Sequence, residues 1–222
     1  MSEIHPIKQS ALGDQVAHEL RRLIITGRYA PGTSLVEGHL AEQFNLSRGP
    51  IRDAIKTLAA EGLLDTNRRS ATVVGLSVDD IDELFSLRES MERLALEIAL
   101  RTNRPALKAE LEKTLDTMRR AAETADPEAY TVADLQFHSV FYSTAEHRRL
   151  GDVWAQYRPT IEMLLLASNE RYEDLRPSVK AHEVLAGLIG AADPEEVFAE
   201  LHSHLDNARR RLREPYSQER RN

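Results

Sequence analysis

The chain has 222 residues, no cysteine and a net charge of −7 at pH 7, which permits one large domain or two modest ones and excludes disulfides and thiolate metal sites. Its longest purely apolar run, Met163 to Ala167, is far shorter than the roughly 20 residues that span a membrane, so we expect a cytoplasmic protein without a membrane partner. The charge is uneven, with nine Lys and Arg against eight Asp and Glu up to Ser77 and 20 against 28 thereafter, which indicates a near-neutral front module and an acidic rear module.

The front module is predicted to contain three helices and a hairpin. Apolar residues at helical spacing predict a first helix over 13–26 and a short second helix after it. Ser47 is a natural N-cap for a third helix, because Pro50 then falls in the first turn, where its missing N–H costs little. Residues 63–74 are typical of two short strands around a basic, polar turn. This order of elements predicts a winged helix-turn-helix domain over residues 1–76.

A row of basic residues lies opposite the apolar stripe of the third helix. Arg48, Arg52 and Lys56 recur there every four residues, so they can follow a phosphate backbone or reach base edges in a major groove. An ordinary solvated basic face is the alternative interpretation. Two features favour nucleic acid: Ser47 and the free amides at the start of the helix suit a phosphate, and Arg69 lies at the predicted hairpin tip.

The rear module is predicted to contain only helices. They are expected over residues 78–102, 105–123, 127–145, 148–168 and 178–191, with a sixth that begins after Asp193. Helices of this length joined by short loops predict an antiparallel six-helix bundle. The chain as a whole is therefore expected to be mainly α, with the bundle over residues 77–215 and a flexible tail over 216–222.

Four polar residues of the rear module fall on apolar helix faces. Asp134 and His138 are four residues apart on a face that also carries two phenylalanines, and His182 and His204 lie among apolar residues of later helices. A buried carboxylate needs a partner, and a divalent cation held between helices would supply one while using the imidazole lone pairs. Zinc, nickel, manganese or iron suits such ligands. The alternative for each histidine is a hydrogen-bonded residue of the core.

The front module carries a recognisable set of motifs. They are the pattern G-x-x-x-P-G-x-x-L from Gly27 to Leu35, LAE from Leu40 to Glu42, and SRGPIRDAI from Ser47 to Ile55. With these motifs the segment resembles the winged-helix DNA-binding domain of the GntR family of bacterial transcription regulators. The resemblance implies that Ser47, Arg48 and Arg52 contact operator DNA. Lys56 and the wing residue Arg69 complete the predicted DNA-contacting set.

Motifs of the rear module match a second domain. They are ELFSLRESMER from Glu83 to Arg93, D-x-x-x-H at Asp134, H-x-x-L at His182 and HL at His204. With them, residues 79–213 resemble the FCD ligand-binding domain of the FadR subfamily of GntR regulators. The resemblance implies the six-helix variant of this domain and an ion held by Asp134, His138, His182 and His204.

The same resemblance implies a small organic acid as effector, because many relatives of this kind sense carboxylates or sugar acids. Arg88 matches an arginine in the first helix of the domain and is expected to bind a carboxylate through two parallel hydrogen bonds. Its alternative role is a surface ion pair with Glu92, four residues further along the helix. Tyr142, Arg158 and Asn207 complete the predicted effector-binding set.

The sequence therefore predicts a homodimeric, metal-containing transcription regulator whose binding to a double-stranded DNA operator is modulated by an effector. A dimer is expected because one winged module covers only half of a two-fold site. One alternative is a metal-dependent hydrolase on a helical bundle, although no glutamate at a telling spacing offers the general base that it needs. The other is a DNA-binding regulator in which the ion is purely structural.

Overall fold

A computed structural model of the chain describes residues 10–67 and 70–218. The chain forms two compact units that divide between Leu76 and Ser77. It is mainly helical, with a small sheet in the front unit and a helical bundle in the rear unit, which confirms the predicted fold class. Among the described residues, no helix combines the length and the apolarity that crossing a membrane requires. The predicted wing residue Arg69 lies outside the described residues.

The described part of the front unit has three helices and an antiparallel sheet. Its elements are α1 (Ser10–Ile25), β1 (Ser34–Leu35), α2 (Glu37–Gln43), α3 (Arg48–Ala60), β2 (Leu64–Asp65) and β3 (Ala71–Val73). β3 lies between β1 and β2 in the sheet. Glycines end two of the helices, since Gly27 follows α1 with φ of 74° and Gly62 follows α3 with φ of 80°, a region that glycine enters at little cost. The strand β1 was not predicted, because two residues are too few to show an alternating pattern.

The front unit is held together by the apolar faces of α1 and α3. Leu20 of α1 and Ile51 and Leu58 of α3 are fully buried in one hydrophobic cluster. Beside this cluster, Arg21 donates from Nε and Nη2 to the two carboxylate oxygens of Glu61, at 2.7 and 2.5 Å. Both side chains are buried. The ion pair therefore fixes α1 against the C-terminal end of α3.

Replacing Arg21 by alanine is expected to lower the free energy of unfolding of the front unit by about 3–5 kcal/mol, because it removes the buried cation that donates to both carboxylate oxygens of Glu61. Hydrogen exchange of the α1 and α3 amides, followed by mass spectrometry, measures this change. Arg22→Ala is the matched control, since the neighbouring arginine forms an exposed pair with Glu19 and its loss should change exchange little. Equal protection in the two variants would contradict a stabilising role for the buried pair.

The rear unit is a bundle of long helices. Its elements are α4 (Val78–Glu123), α5 (Pro127–Ala145), α6 (Arg148–Asn169), α7 (Arg176–Ala191) and α8 (Pro194–Gln218). α4 packs against α5, α7 and α8. Asn103 leaves helical geometry within α4, with φ of −157° and ψ of 60°, because Pro105 disrupts the preceding turn. The two helices predicted over 78–102 and 105–123 are thus joined end to end across a kink.

The ends of the bundle helices follow the capping residues. Ser77 and Asp80 form a capping box at the start of α4, and the side chain of Asp126 accepts a hydrogen bond from the amide of Ala129 at the start of α5. At the other end of the chain, α8 continues to Gln218. The first three residues of the tail predicted over 216–222 are therefore helical, and its last four lie outside the described residues.

Candidate functional site

Three helices of the rear unit bring the four predicted metal ligands together. Asp134 and His138 lie on α5, His182 on α7 and His204 on α8, and their exposed fractions are 7%, 1%, 1% and 9%. One ligand nitrogen from each of the three histidines lies within 4.8 Å of the other two. The carboxylate oxygens of Asp134 lie 3.8 Å from Nε2 of His138 and 3.5 Å from Nε2 of His182. The four side chains therefore meet in one place.

The phenylalanines on the same face of α5 enclose this cluster. The ring of Phe137 packs edge-on against the ring of His182, with centroids 5.0 Å apart, and Phe141 packs in the same way against His138 at 5.6 Å. Both phenylalanines are fully buried. The helical spacing of α5 thus places a carboxylate and an imidazole inside an aromatic wall, where charges and lone pairs are poorly solvated.

Hydrogen bonds fix the orientation of two of the imidazoles. Nδ1 of His182 donates to the backbone oxygen of Ser178 at 2.8 Å, because a carbonyl oxygen can only accept. Nδ1 of His138 lies 2.7 Å from Oε2 of Glu92. Each contact leaves Nε2 directed towards Asp134. Metal-binding histidines are typically held in this way through the nitrogen that does not bind the ion.

Two imidazole nitrogens of the cluster are buried and meet no hydrogen-bond partner within the described part of the chain: Nε2 of His182 and Nδ1 of His204. Burial lowers the pKa of His182 to about 4 and that of His204 well below its usual value. Both rings are therefore neutral near pH 7 and carry a free lone pair. Buried polar groups are rarely left unpaired, and a lone pair directed at a carboxylate leaves room for a cation between them. The residues present fit a divalent ion.

A buried carboxylate of α4, which was not predicted as part of the site, supports His138. Glu92 accepts a hydrogen bond from Nε of Arg88 on Oε1 at 2.6 Å and contacts His138 with Oε2. Burial by itself raises the pKa of Glu92, but the neighbouring Arg88 and His138 outweigh it and lower that pKa to about 2. Glu92 thus lies beside a predicted ligand although its spacing of 46 residues from His138 gave no sign of the contact. Both oxygens of Glu92 are engaged, so the residue is not a free general base.

Arg88 is buried rather than part of a surface ion pair. Its side chain and that of Glu92 are 1% and 0% exposed, so the surface alternative is wrong. Nη2 of Arg88 and the hydroxyl of Tyr142 are buried without a hydrogen-bond partner among the described residues. Tyr142 stacks on Trp154 at 4.9 Å, and the guanidinium of Arg88 lies 5.9 Å from the centre of the same indole. These unpaired polar groups are suited to an anionic ligand.

The two remaining predicted effector residues differ in their surroundings. Nε of Arg158 is buried without a partner in the described structure, and its Nη2 lies 3.7 Å from Glu162, one helical turn further along α6. Asn207 is exposed on α8. Its exposure separates Asn207 from the buried polar groups of the cluster.

The basic row of α3 is exposed to solvent. Arg48, Arg52, Lys56 and the N-cap Ser47 all lie at the surface. The hydroxyl of Ser47 makes no capping hydrogen bond, so it is available, with the free amides of the first turn, to an external acceptor. Arg52 lies against Glu37 at the start of α2, with Nη2 3.0 Å from Oε2. This contact was not predicted from the sequence.

Comparisons with known proteins assign both units. The family model described as bacterial regulatory proteins, gntR family, matches residues 12–74, and the FCD domain model matches residues 83–207. The gluconate operon transcriptional repressor of Bacillus licheniformis is 32% identical over 206 residues, which cover 90% of this chain and 85% of that protein. The chain belongs to the GntR family of bacterial regulatory proteins.

Other relatives agree with this assignment. The gluconate operon transcriptional repressor of Bacillus subtilis is 29% identical to this GntR protein, over 90% of the chain and 85% of the relative. The solved structure of McbR/YncC from Escherichia coli has a TM-score of 0.71 at 24% identity, covers 92% of this chain and 98% of that one, and shows the same fold. The protein is therefore a DNA-binding transcription regulator with an FCD domain. The alternative of a metal-dependent hydrolase is wrong.

Proposed function

We propose that this GntR protein is a cytoplasmic, homodimeric regulator whose affinity for its operator changes when a small organic acid binds beside a divalent ion. Asp134, His138, His182 and His204 would hold the ion. The proposal is carried by one observation, the buried cluster in which two neutral imidazole nitrogens lack a hydrogen-bond partner among the described residues. By thermodynamic linkage, the acid changes operator affinity by the same factor by which its own affinity differs between the DNA-bound and DNA-free forms of the protein.

The donor set suits the proposed ion and the proposed effector together. One carboxylate and three imidazoles accommodate zinc, nickel, manganese or iron, and four protein donors leave further positions of a six-coordinate ion open. When bound, the ion supplies a positive charge that neutralises Asp134 and accepts oxygens of an organic acid. The aromatic wall around the ligands keeps that charge away from bulk water, which strengthens its attraction for an anion.

Arg88 is the proposed second anchor of the acid. Its Nη2 is buried and unpaired in the described structure, so a carboxylate that reaches it gains a charge-assisted hydrogen bond without first displacing a protein partner. The hydroxyl of Tyr142 and Nε of Arg158 are the other polar groups that we assign to the acid. Because two relatives are named gluconate operon repressors, sugar acids are the first class to test.

We assign operator recognition to the exposed face of α3. Arg48 and Arg52 are proposed to contact bases, and Ser47, Lys56 and the wing residue Arg69 to contact phosphates. A dimer presents two such faces to a pseudo-palindromic site and doubles the phosphate contacts. This doubling explains how a chain with a net charge of −7 binds a polyanion.

The function is tested with a duplex that the purified protein selects from a random pool. We expect retarded electrophoretic migration of this duplex at low micromolar protein or below, and a shift of that affinity when gluconate or a related sugar acid is added. Protein stripped of metal by a chelator should still bind the duplex but lose the response to the acid. Failure to select any duplex would refute operator binding, and an acid response that persists without metal would refute the role of the ion.

An apolar pair on α4 is a candidate for the dimer contact. Leu87 and Leu94 are 37% and 44% exposed, and seven residues place them on one helix face. Leu94→Glu is expected to shift the mass of the protein in sedimentation equilibrium from dimer towards monomer, because it would bury a charge in the interface. Val132→Glu, an equally exposed valine on α5, is the control and should leave the mass unchanged. A dimeric Leu94→Glu protein would exclude this face.

Glu92 is expected to strengthen metal binding through His138. Glu92→Gln removes the negative charge that orients and polarises this imidazole, and we expect the affinity for zinc or nickel to fall by about 10- to 100-fold. Competition with a chromophoric chelator measures this change. Glu97→Gln, an exposed position of the same helix, is the control for charge. Unchanged metal affinity in Glu92→Gln would show that the contact with His138 does not support the site.

A further inference from the structure

The two helices of the DNA-binding motif are connected by an ion pair on their exposed side. Arg52 of α3 donates from Nε to Oε1 of Glu37 at 3.3 Å and from Nη2 to Oε2 at 3.0 Å. The side chains are 57% and 36% exposed, and pairs this exposed contribute little to stability. The fold therefore does not require this ion pair. We expect the pair to act instead on the binding of Arg52 to DNA.

The geometry of the pair leaves a defined part of Arg52 free. A guanidinium has five N–H donors, and the carboxylate of Glu37 engages one on Nε and one on Nη2. The second N–H of Nη2 and both on Nη1 remain, so the free edge carries two parallel donors. Two parallel donors from an arginine are the pattern that matches N7 and O6 of guanine in the major groove.

The carboxylate of Glu37 also lies in the field of the whole basic row. The hydrogen bond from Arg52 lowers the pKa of Glu37, burial opposes this, and the charges of Arg52, Arg48 and Lys56 lower it further. A negative charge at this position repels phosphates, so it weakens binding to DNA of any sequence. At the same time it restrains the side chain expected to contact bases, which reduces the entropy lost when a base is bound.

We propose that Glu37 is a positioning residue for operator recognition, which holds Arg52 with its free edge towards a guanine and lowers affinity for non-operator DNA. The hold on Arg52 increases the discrimination between the operator and other sequences, whereas the negative charge of Glu37 lowers affinity for both alike. This inference rests on the proposed role of Arg52 in contacting bases.

The test compares two acids of the same helix in the full-length protein. Glu37→Gln and Glu42→Gln each remove one negative charge from α2, and both acids lie at or near the surface, but Glu37 is the one that forms the ion pair with Arg52. Dissociation constants are measured by fluorescence anisotropy, at one salt concentration, for the selected duplex and for a scrambled duplex of equal length. Glu37→Ala is included because the amide oxygen of glutamine can still accept one hydrogen bond from Arg52.

Both glutamine variants are expected to bind the scrambled duplex more tightly than the wild type does. Only the Glu37 variants should lose discrimination, with the ratio of the two dissociation constants falling by about tenfold, and Glu37→Ala should lose at least as much as Glu37→Gln. An unchanged ratio in Glu37→Ala, or an equal loss in Glu42→Gln, would overturn the inference. Arg52→Ala distinguishes failure of this inference from failure of the proposed role of Arg52. If Arg52→Ala retains discrimination between the two duplexes, both the role of Arg52 and this inference are refuted. If Arg52→Ala loses discrimination while the Glu37 variants keep it, only this inference is refuted.

Discussion

Replacing His204 by alanine is expected to lower the affinity of the protein for divalent ions by more than about 100-fold. Loss of an outer partner of a metal ligand already costs about 10- to 100-fold, and His204→Ala removes a donor itself. Isothermal titration with zinc and nickel measures the affinity, and elemental analysis of the purified protein measures occupancy. Equal metal content in His204→Ala and the wild type would remove His204 from the site.

His202 provides a matched control on the same helix. It lies two residues before His204 but is exposed, with Nδ1 2.8 Å from Oε1 of Glu89, so His202→Ala should bind metal as the wild type does. Chelation of the ion should also lower the melting temperature of the wild type by about 10 °C, since an ion at 1,000 times its Kd contributes about 4 kcal/mol and each kcal/mol shifts a domain of this size by about 2–4 °C. His204→Ala should show no such response to the chelator.

The same experiment separates a sensing ion from a structural one. Both interpretations predict that chelation lowers the melting temperature. Only the sensing interpretation predicts that chelation also weakens binding of the acid, because the acid then loses one of its two anchors. Titration of gluconate or another responding acid into protein with and without metal decides between them. An unchanged affinity for the acid would leave the ion as a stabiliser of the bundle.

Replacing Arg52 by alanine is expected to abolish specific operator binding while the fold stays intact. A base contact made by arginine is worth roughly tenfold or more in affinity for each half-site, and hence about 100-fold or more for a dimer that uses both. The side chain is 57% exposed, so its loss should leave the circular dichroism spectrum and melting temperature nearly unchanged. Footprinting on the selected duplex measures the effect, and an unaltered footprint would refute the role of Arg52.

Lys56 provides the contrast that distinguishes a base contact from a phosphate contact. Lys56→Ala should weaken binding to operator and scrambled duplexes by a similar factor. It should also reduce the salt dependence of affinity by about one counterion for each phosphate that the lysine neutralises in the wild type. Arg52→Ala should instead lower affinity mainly for the operator. If both variants lower the affinity for operator and scrambled duplexes equally, the basic row on α3 binds only the phosphate backbone.

The sequence was sufficient to predict features that depend on neighbouring residues. The periods of α1, α3 and α5 were clear, and Ser47 together with Pro50 marked the start of α3. The gathering of His182 and His204 near Asp134 was predicted from apolar faces together with the family resemblance. Their common position required only that each lie on the inner face of its own helix.

Features that depend on contacts between distant residues were missed. Glu92 and Arg88 are four residues apart, and their pairing was foreseen, but the burial of the pair and the contact with His138, 46 residues away, depend on how α4 packs against α5. Arg52 and Glu37 lie on two helices joined by a turn, and the helical periodicity of the sequence does not predict the geometry of that turn. The exposure of Asn207 was missed because it lies one turn from His204, where a small rotation of α8 decides which face a side chain takes.

The single carboxylate shared by Arg88 and His138 limits how this protein can diversify. A substitution at Arg88 removes the cation paired with the carboxylate that contacts His138, so under the proposed function ligand preference and ion affinity would alter in one mutational step. Relatives that bind a different acid should therefore keep Arg88, Glu92 and His138 together. Variation should accumulate instead at positions such as Arg158, whose ion pair is with Glu162 rather than with a residue of the cluster.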